Sequence, residues 1–263
     1  MDACHHATQL TAISDYSRQS AIIHSGINPS RIRTISLRMA HRILSSNEQT
    51  KDESDELFAR LNLERQLYLL FPANFWQHKN HEILLTAFAI AIRHGLTPKM
   101  KLVCTGAPTE RQRAVIKKSA AIGLADRVIF PGYLPNDELA AVLANAAGMI
   151  FPSLYEGFGL PVIEAMAAGI PVACSNTRAL PEVTSGAALL FNPDNPEEIA
   201  QAMVSLTSDE PLRTTLIKDG LLRAQEFSDQ KRMAHEYWEL FEDSITLHST
   251  HQPGSWAKFQ GTA

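Results

Sequence analysis

From residue 66 onward, short apolar runs alternate with longer stretches that carry apolar residues at helical spacing. The short runs predict buried strands at residues 68–71, 101–104, 128–130, 149–151, 170–174 and 187–191. The longer stretches predict helices at residues 80–94, 110–122, 138–146, 162–168, 197–205, 212–227 and 229–245. Such alternation indicates an α/β fold in which helices cover both faces of a parallel sheet, followed here by helices at the carboxyl-terminal end.

The loops that follow four of the predicted strands carry glycine and polar residues. They lie at residues 72–79, 105–109, 131–134 and 153–160. The carboxyl ends of parallel strands share one edge of a sheet, and ligands bind just outside that edge. We therefore expect these four loops to gather at one binding site.

The chain before residue 62 has a different pattern. Residues 11–20 predict the end of a strand followed by a helix that Ser14 or Asp15 caps, and residues 31–37 alternate as a strand does. Residues 1–44 have too little apolar surface to fold as a domain by themselves. We therefore interpret them as the remnant of a preceding domain and an interdomain segment.

The rest of the chain is interpreted as one main domain with flanking segments. The polar and acidic residues 45–56 predict an exposed loop. The organisation expected after the remnant is a linker and helix entry at 45–61, the nucleotide-sugar-binding domain at 62–228, a final helix at 229–247 and a disordered tail at 248–263.

Composition excludes several classes of protein. The chain has 263 residues, a formal net charge of −4 and no long basic run, so nothing favours binding to nucleic acid. The widely spaced Cys4, Cys104 and Cys174 predict buried reduced thiols rather than a disulfide framework. The polar amino terminus does not resemble a secretory signal, and residues 139–151 are too few to span a bilayer. We expect a cytoplasmic protein with at most peripheral contact with the inner face of a membrane.

The strongest motif is the strand–loop–helix–strand unit at residues 149–172. Gly157 and Gly159 permit positive φ or the close approach of a ligand to the backbone. Pro161 suits the first turn of a helix because its missing N–H would have no partner there. A helix that begins at this point offers free N–H groups and a partial positive charge to an anion.

Two carboxylates belong to this motif. Glu156 lies in the loop, and Glu164 lies one turn inside a helix that is otherwise apolar. A charge in such a helix is costly unless it is paired or faces a cleft. Sugar hydroxyls are suitable partners because charge-assisted hydrogen bonds are stronger than neutral ones. The alternative is that Glu164 is a solvated helix residue and Glu156 an ordinary loop charge.

The spacing of Glu156 and Glu164, with seven residues between them, resembles the paired-glutamate signature of retaining glycosyltransferases of family 4. The resemblance extends over roughly residues 62–228. Its motifs stand at residues 71–82, 102–106, 128–135 and 152–172. It implies the carboxyl-terminal, donor-binding half of a two-domain GT-B enzyme, which is a Rossmann-like domain.

The resemblance also implies roles for individual residues. Glu156 would contact the donor sugar near its reacting face, and Glu164 would bind the ribose hydroxyls of the nucleotide. Lys79 would neutralise the diphosphate and assist its departure, so Glu156 and Lys79 are the catalytic candidates. One loop would present main-chain amides to the diphosphate and sugar, and another would hold the nucleobase. These donor-binding positions are Gly157, Phe158, Gly159, Leu160, Gly132, Tyr133 and Leu134.

Asn74 departs from the family pattern. Many members carry an arginine at this position. Asn74 is assigned to donor binding at the same position, and the phosphate site then has one positive charge fewer than in those members. The resemblance implies no metal and no cofactor apart from the nucleoside-diphosphate sugar as co-substrate. The other partner it implies is a saccharide acceptor.

Some side chains near these motifs have open or ordinary interpretations. Phe75 and Trp76 either line the cleft or pack inside the protein. His78 and His81 are too few for a metal site, so we expect loop and helix-surface positions for them. The aromatic side chains of the last helix are expected to pack inside the protein: Tyr237, Trp238 and Phe241.

The first hypothesis is a retaining transferase that moves a hexose from a nucleoside-diphosphate sugar to a saccharide or lipid-linked acceptor. GDP-mannose and UDP-glucose are equally suitable as its donor. A second hypothesis is a catalytically incomplete nucleotide-sugar-binding module that needs an amino-terminal GT-B half from another chain. A nucleotide-sugar epimerase is a third, supported only by analogy of fold.

Overall fold

The computed structural model describes residues 2–39 and 51–251. The chain divides into two compact units, one formed by Met39–Ser228 and the other by Met1–Arg38 together with Asp229–Ala263. Three parts of the predicted organisation lie outside the described residues. They are residues 1 and 40–44 of the predicted remnant, 45–50 of the predicted linker and 252–263 of the predicted disordered tail.

The described elements follow the predicted alternation closely. The strands are β1 (Leu10–Ala12), β2 (Ile32–Thr34), β3 (Tyr68–Pro72), β4 (Lys101–Thr105), β5 (Val128–Gly132), β6 (Gly148–Phe151), β7 (Val172–Ser175) and β8 (Leu189–Phe191). The helices are α1 (Asp2–His6), α2 (Asp15–Ser25), α3 (Lys51–Arg60), α4 (His81–Arg93), α5 (Glu110–Ala121), α6 (Asn136–Ala144), α7 (Leu160–Ala167), α8 (Leu180–Thr184), α9 (Pro196–Ser208), α10 (Glu210–Gln225) and α11 (Gln230–His251). Short 3-10 turns stand at Pro29–Arg31 and Gln77–Lys79.

The larger unit is built on a six-stranded sheet in the order β5-β4-β3-β6-β7-β8, and every described pairing is parallel. Every residue of β6 and β7 is buried. A strand that is buried along its whole length has both of its faces covered, as helical crossovers require. The predicted fold class, a Rossmann-like parallel sheet with helices, is confirmed.

The sheet order reverses between β3 and β6. From β3 the chain moves outward through β4 to β5, and it then returns to β6 on the other side of β3. Such a reversal leaves a crevice between the loops that follow the two central strands, and ligands of open α/β sheets bind there. The loops after β3 and β6 are those that carry Lys79 and Glu156.

Helices on the sheet bury the faces that the sequence pattern predicts. In α4, Leu84, Ala87 and Phe88 have no exposed surface, and this helix packs against α9. Each fully buried side chain of the size of leucine or phenylalanine contributes about 2 kcal/mol. α7 packs against α10, where Gly220 leaves room for Met166 of α7. This packing fixes α7, which carries Glu164, within the larger unit.

The smaller unit contains a parallel pair formed by β1 and β2. The capped helix predicted after β1 is confirmed as α2, and Ser14 is its cap because its Oγ accepts a hydrogen bond from the Ser17 N–H at 3.1 Å. The helix ends at Gly26, whose φ of 63° is left-handed. Arg18 of this helix donates to the carbonyl of Ile32 at 2.8 Å and so joins α2 to β2.

Outside the candidate site, four expectations differ from the structure. Residues 51–56 of the acidic segment, which is expected as an exposed loop, belong to α3, because Leu57 and Phe58 later in this helix are buried. The last helix extends to His251, beyond its predicted end at residue 247. Trp238 and Phe241 of that helix are exposed rather than packed. Cys4 is exposed, whereas Cys104 and Cys174 are buried and free as predicted.

Among the helices of residues 2–39 and 51–251, none is both long enough and apolar enough to cross a bilayer.

Candidate functional site

Lys79 and Glu156 form an ion pair at the reversal of the sheet order. Lys79 ends the 3-10 turn that follows β3, and Glu156 lies in the loop that follows β6. Lys79 Nζ donates to Glu156 Oε1 at 2.5 Å, and the two side chains are only 15% and 13% exposed. The sequence predicts both residues at one site, but it does not predict that they bind each other.

The two loops are also joined through their backbones. The Leu154 N–H donates to the carbonyl of His78 at 2.7 Å. Beneath the pair, Lys79 Nζ lies 5.3 Å from the ring centroid of Phe151, the last residue of β6, which is within the range of a cation–π interaction. The ammonium group of Lys79 is therefore held between a carboxylate and an aromatic ring.

The glycine loop after Glu156 leads directly into α7. Gly159 precedes the helix with a φ of 99°, and a Cβ at this position would lie 2.6 Å from Leu180 Cδ2. Only glycine satisfies both conditions. Phe158 is buried and packs edge-on against Phe227 at 5.5 Å between ring centroids. The side chain of Phe158 therefore anchors the loop, and any contact that Phe158 makes with a ligand uses its backbone.

Glu164 lies inside α7 and is only 6% exposed. Its neighbours Val162, Ile163 and Ala165 have no exposed surface. The alternative of a solvated helix residue is therefore wrong for Glu164. The structure places this carboxylate on the same helix that Gly159 starts, and its role toward a ribose stays a prediction.

The predicted nucleobase loop follows β5, the strand at the edge of the sheet and two strands away from β3. Gly132 has a left-handed φ of 79°, and its carbonyl accepts a hydrogen bond from the Gly106 N–H at 2.9 Å. Tyr133 is exposed and Leu134 is buried. The loop thus shares the carboxyl edge of the sheet with Lys79 and Glu156, and its contact with a nucleobase stays a prediction.

Asn74 connects two loops of this edge. Its Oδ1 accepts a hydrogen bond from the Ala107 N–H at 2.9 Å, which ties the loop after β3 to the loop after β4. The carbonyl oxygen of the Asn74 side chain is thus used within the protein. Its amide NH2 is the part left for the predicted contact with a donor.

His81, the first residue of α4, is 3% exposed, so the prediction of a helix-surface position is wrong. Its ring stacks on Phe75 at 4.4 Å and lies 4.8 Å from Phe71, between centroids. Burial, and then the positive charges of Arg111 and Lys79, lower the pKa of His81 to about 4. The imidazole is therefore neutral near pH 7, and within the described chain neither of its ring nitrogens has a hydrogen-bond partner.

The two adjacent aromatic residues of the loop after β3 have different environments. Phe75 is buried against His81 and packs inside the protein. Trp76 is 64% exposed, although its backbone is fixed by hydrogen bonds with Asn74 and Lys79. His78 is exposed in the same loop.

Asn80 has no role predicted from the sequence, but in the structure it is buried and bonded to the loops after β6 and β8. A positive φ of 63° for a residue other than glycine is the structural signal. A signal in the sequence was also present, because an asparagine between a loop and a helix is a common left-handed residue. Groups of three or more His, Cys, Asp or Glu side chains suited to a metal ion are not found in residues 2–39 and 51–251.

Comparison with solved structures shows the same fold in other proteins. The crystal structure of Anabaena Alr3699/HepE in complex with UDP and glucose superposes on 92% of this chain and 65% of its own chain, with a TM-score of 0.79 and 18% identity. At this identity the similarity shows the fold alone.

Curated relatives are similar to parts of the chain. The O-antigen chain mannosyltransferase B of Escherichia coli is 40% identical over 97 residues, which are 37% of this chain and 26% of that protein. The serotype-specific mannosyltransferase WbdA of E. coli is 27% identical over 223 residues, 84% of this chain and 27% of that protein. The matched segment thus spans about a quarter of the length of each relative.

The family model described as glycosyl transferases group 1 matches residues 53–223, which is more than half of the chain. This range contains the six-stranded sheet, the Lys79–Glu156 pair and the glycine loop. The chain therefore belongs to the glycosyl transferases group 1 family.

Proposed function

We propose that the chain is the donor-binding half of a retaining hexosyltransferase of the family-4 type. It binds a nucleoside-diphosphate sugar and presents the hexose to a saccharide or lipid-linked acceptor. The observation that carries the proposal is the Lys79–Glu156 pair, which lies where the sheet order reverses and directly before the glycine loop of α7.

Each charged group has a task in this proposal. In the transfer, the bond between the anomeric carbon and the diphosphate oxygen breaks, and a bond to the acceptor oxygen forms on the same face of the sugar. The acceptor hydroxyl gives its proton to the departing diphosphate oxygen. Negative charge develops on the departing diphosphate, and Lys79 neutralises it together with the amides of Phe158, Gly159 and Leu160. Glu156 accepts hydrogen bonds from the donor sugar.

The remaining contacts belong to the nucleoside. Glu164 accepts hydrogen bonds from the ribose hydroxyls, which suits a carboxylate in a largely apolar helix. The loop of Gly132, Tyr133 and Leu134 holds the nucleobase, and Asn74 contributes its amide. The proposal assigns no step to a metal, because lysine and helix amides take up the charge of the diphosphate.

The Lys79–Glu156 ion pair places a condition on how a donor binds. Lys79 is already neutralised by Glu156, so a diphosphate has to replace this carboxylate as the partner of the ammonium group. We propose that the exchange releases Glu156 to face the sugar. Lys79 and Glu156 thus change partners together, and the donor is gripped at both its phosphate and its sugar.

The choice of donor remains between two nucleotide sugars. Two E. coli relatives are named as mannosyltransferases, and one similar structure contains UDP and glucose. GDP-mannose and UDP-glucose are therefore the two donors to compare in an assay.

A second candidate function is a nucleotide-sugar-binding module that is inactive until an amino-terminal GT-B half joins it. The smaller unit supports it, because an open cavity of about 300 Å³ lies next to β1 and is lined mainly by apolar residues that include Leu10, Ala12, Ile27 and Ile32. In the module hypothesis, the amino-terminal GT-B half fills this cavity with apolar side chains.

Sugar transfer separates the two candidates. The purified chain is incubated with a labelled donor and an oligosaccharide acceptor, with and without a co-expressed amino-terminal GT-B half. Transfer by the chain alone would show that these 263 residues suffice for catalysis and would exclude the module. Donor binding without transfer, followed by transfer once the second half is present, would establish the module.

A further inference from the structure

We propose that Asn80 is a positioning residue that holds Lys79 in line with the diphosphate site. The inference rests on the proposed function, because it concerns how the same site is kept in shape. Asn80 directly follows Lys79 in the chain and is only 8% exposed.

The side chain of Asn80 joins three loops at the carboxyl edge of the sheet. Its Nδ2 donates to the carbonyl of Pro152 at 3.2 Å and to the carbonyl of Pro193 at 2.8 Å. These carbonyls belong to the loops that follow β6 and β8. A side-chain amide has two N–H donors, so one asparagine satisfies both acceptors at once.

The backbone of Asn80 makes the turn between the 3-10 segment and α4. Its N–H donates to the carbonyl of Gln77 at 3.1 Å, and its own carbonyl accepts from the Leu84 N–H at 3.1 Å. Its φ of 63° is left-handed, a conformation that asparagine tolerates better than most residues. The direction in which the chain leaves Lys79 therefore depends on this one residue.

The sheet itself does not hold the two catalytic loops together. The described pairing of β3 with β6 covers only Leu69 with Gly148 and Leu70 with Met149. Beyond Met149 the two strands lead into the loops of Lys79 and Glu156 without further ladder pairs. Two hydrogen bonds connect the loops beyond these ladder pairs, one between Asn80 and Pro152 and one between Leu154 and His78. Pro152 lies four residues before Glu156 in the chain.

The consequence for the site follows from the flexibility of lysine. Its ammonium group stands on a four-carbon stem, so its position depends on where the backbone holds the Cα. A displacement of about 1 Å is enough to weaken a catalytic contact strongly. Fixing the backbone beside Lys79 to the loop of Glu156 keeps the ammonium group where the diphosphate arrives.

The test is a double-mutant cycle on the affinity for UDP and GDP, measured by calorimetry on the 263-residue chain. Asn80→Gly removes both amide hydrogen bonds and still permits a positive φ. It is measured alone and in combination with Lys79→Met. Asn62→Gly is the matched control, because Asn62 also has a left-handed φ, of 52°, but is exposed and outside the site.

We expect Asn80→Gly to weaken nucleoside-diphosphate binding roughly tenfold when Lys79 is present and to have little further effect in the Lys79→Met background. Asn62→Gly leaves the affinity unchanged. Equal losses in both backgrounds would show that Asn80 acts on the fold in general, and an unchanged affinity in Asn80→Gly would also overturn the inference.

A second variant covers the case in which Asn80→Gly does not fold. Asn80→Asp has nearly the same size, but its carboxylate accepts hydrogen bonds and cannot donate to the two carbonyls. We expect it to weaken binding as well, and an affinity equal to that of the parent would overturn the inference. If the parent itself binds no nucleoside diphosphate, the proposed function fails; if it binds and only the Asn80 effect is missing, this inference fails alone.

Discussion

Lys79 Nζ lies 2.5 Å from Glu156 Oε1, although the two residues are 77 positions apart in the chain. The contact crosses the point at which the sheet order reverses, so it joins the two halves of the sheet. Both side chains are largely buried, so solvent screens their charges less than it screens those of a surface ion pair. The attraction between the two charges is therefore stronger than in a surface pair.

Replacing Glu156 by glutamine should separate binding of the diphosphate from binding of the sugar. Glu156→Gln frees Lys79 from its carboxylate, so we expect UDP or GDP to bind up to about fivefold more tightly, which corresponds to roughly 1 kcal/mol. The matching nucleotide sugar should bind more weakly than to the parent, because a contact with the hexose is lost. Calorimetric titration of both ligands measures the two effects.

Glu226→Gln is the control for this change, because it removes a carboxylate that pairs with Arg223 at the end of α10. It should leave both affinities as they are. Parallel losses for the two ligands in Glu156→Gln would show that Glu156 does not distinguish sugar from diphosphate.

The assignment of Glu164 to the ribose is tested by changing the ligand as well as the protein. Glu164→Gln keeps the size of the side chain and removes its charge. A charge-assisted hydrogen bond contributes about 2 kcal/mol, so we expect the preference of the parent for a ribonucleoside diphosphate over its 2′-deoxy form to shrink markedly. Affinities of both nucleotides for parent and variant give the result. A preference that persists unchanged would remove Glu164 from the ribose site.

Gly159 is expected to be indispensable for the glycine loop. Gly159→Ala forces a left-handed conformation on a residue with a Cβ and brings that Cβ within 2.6 Å of Leu180 Cδ2. The combined cost is about 2 kcal/mol or more. Urea denaturation of the variant measures the loss.

Gly169→Ala provides the comparison, because Gly169 has a φ of 70° with no atom within 4 Å of the added Cβ. It should cost only about 1 kcal/mol, the price of the backbone conformation. A loss in Gly159→Ala no larger than this would mean that the contact with Leu180 relaxes freely.

The buried His81 predicts a dependence of stability on pH. Its pKa is lowered from 6.5 to about 4, so between these pH values the unfolded chain binds a proton that the folded chain does not. The free energy of unfolding therefore falls as the pH drops through this window, by about 3 kcal/mol in total from this group. Denaturant titrations at several pH values follow the change.

His81→Phe keeps an aromatic ring between Phe71 and Phe75 and cannot titrate, so its stability should fall less steeply in the same window. His78→Gln, in the same loop but exposed, should retain the slope of the parent. Identical slopes for the parent and His81→Phe would contradict the assignment.

The sequence predicts the larger elements of the fold because they have strong local signals. The strands from β3 to β8 are short apolar runs between polar loops, and α4 carries apolar residues at helical spacing. The start of helix α3 lies within the segment expected as an exposed loop, because its many acidic residues outweigh the two apolar positions, Leu57 and Phe58, that become buried. Tertiary contacts decide whether these two side chains are buried or exposed to solvent, and the composition of the segment does not reveal those contacts.

The candidate site shows the same division. The glutamates, the lysine and the glycines stand out in the sequence through their spacing around predicted strand ends. Three features of the site do not stand out in the sequence. They are the pairing of Lys79 with Glu156, the burial of His81 and the bonds of Asn80 to Pro152 and Pro193. The ion pair and the Asn80 bonds join residues from different strand ends, so they depend on the order of strands in the sheet, which the sequence pattern leaves open. The burial of His81 depends on how Phe71 and Phe75 pack around its ring.

The claim that Lys79 stands at a diphosphate site is tested by titrating UDP and GDP into the purified chain and into Lys79→Met. We expect saturable binding of at least one nucleotide below millimolar concentration, and a loss of roughly tenfold or more in Lys79→Met, because a charged contact to phosphate is removed. Lys118→Met, which removes a lysine paired with Glu82 on α4, should bind as the parent does. The absence of saturable binding to the parent, or equal affinity in Lys79→Met, would contradict the claim.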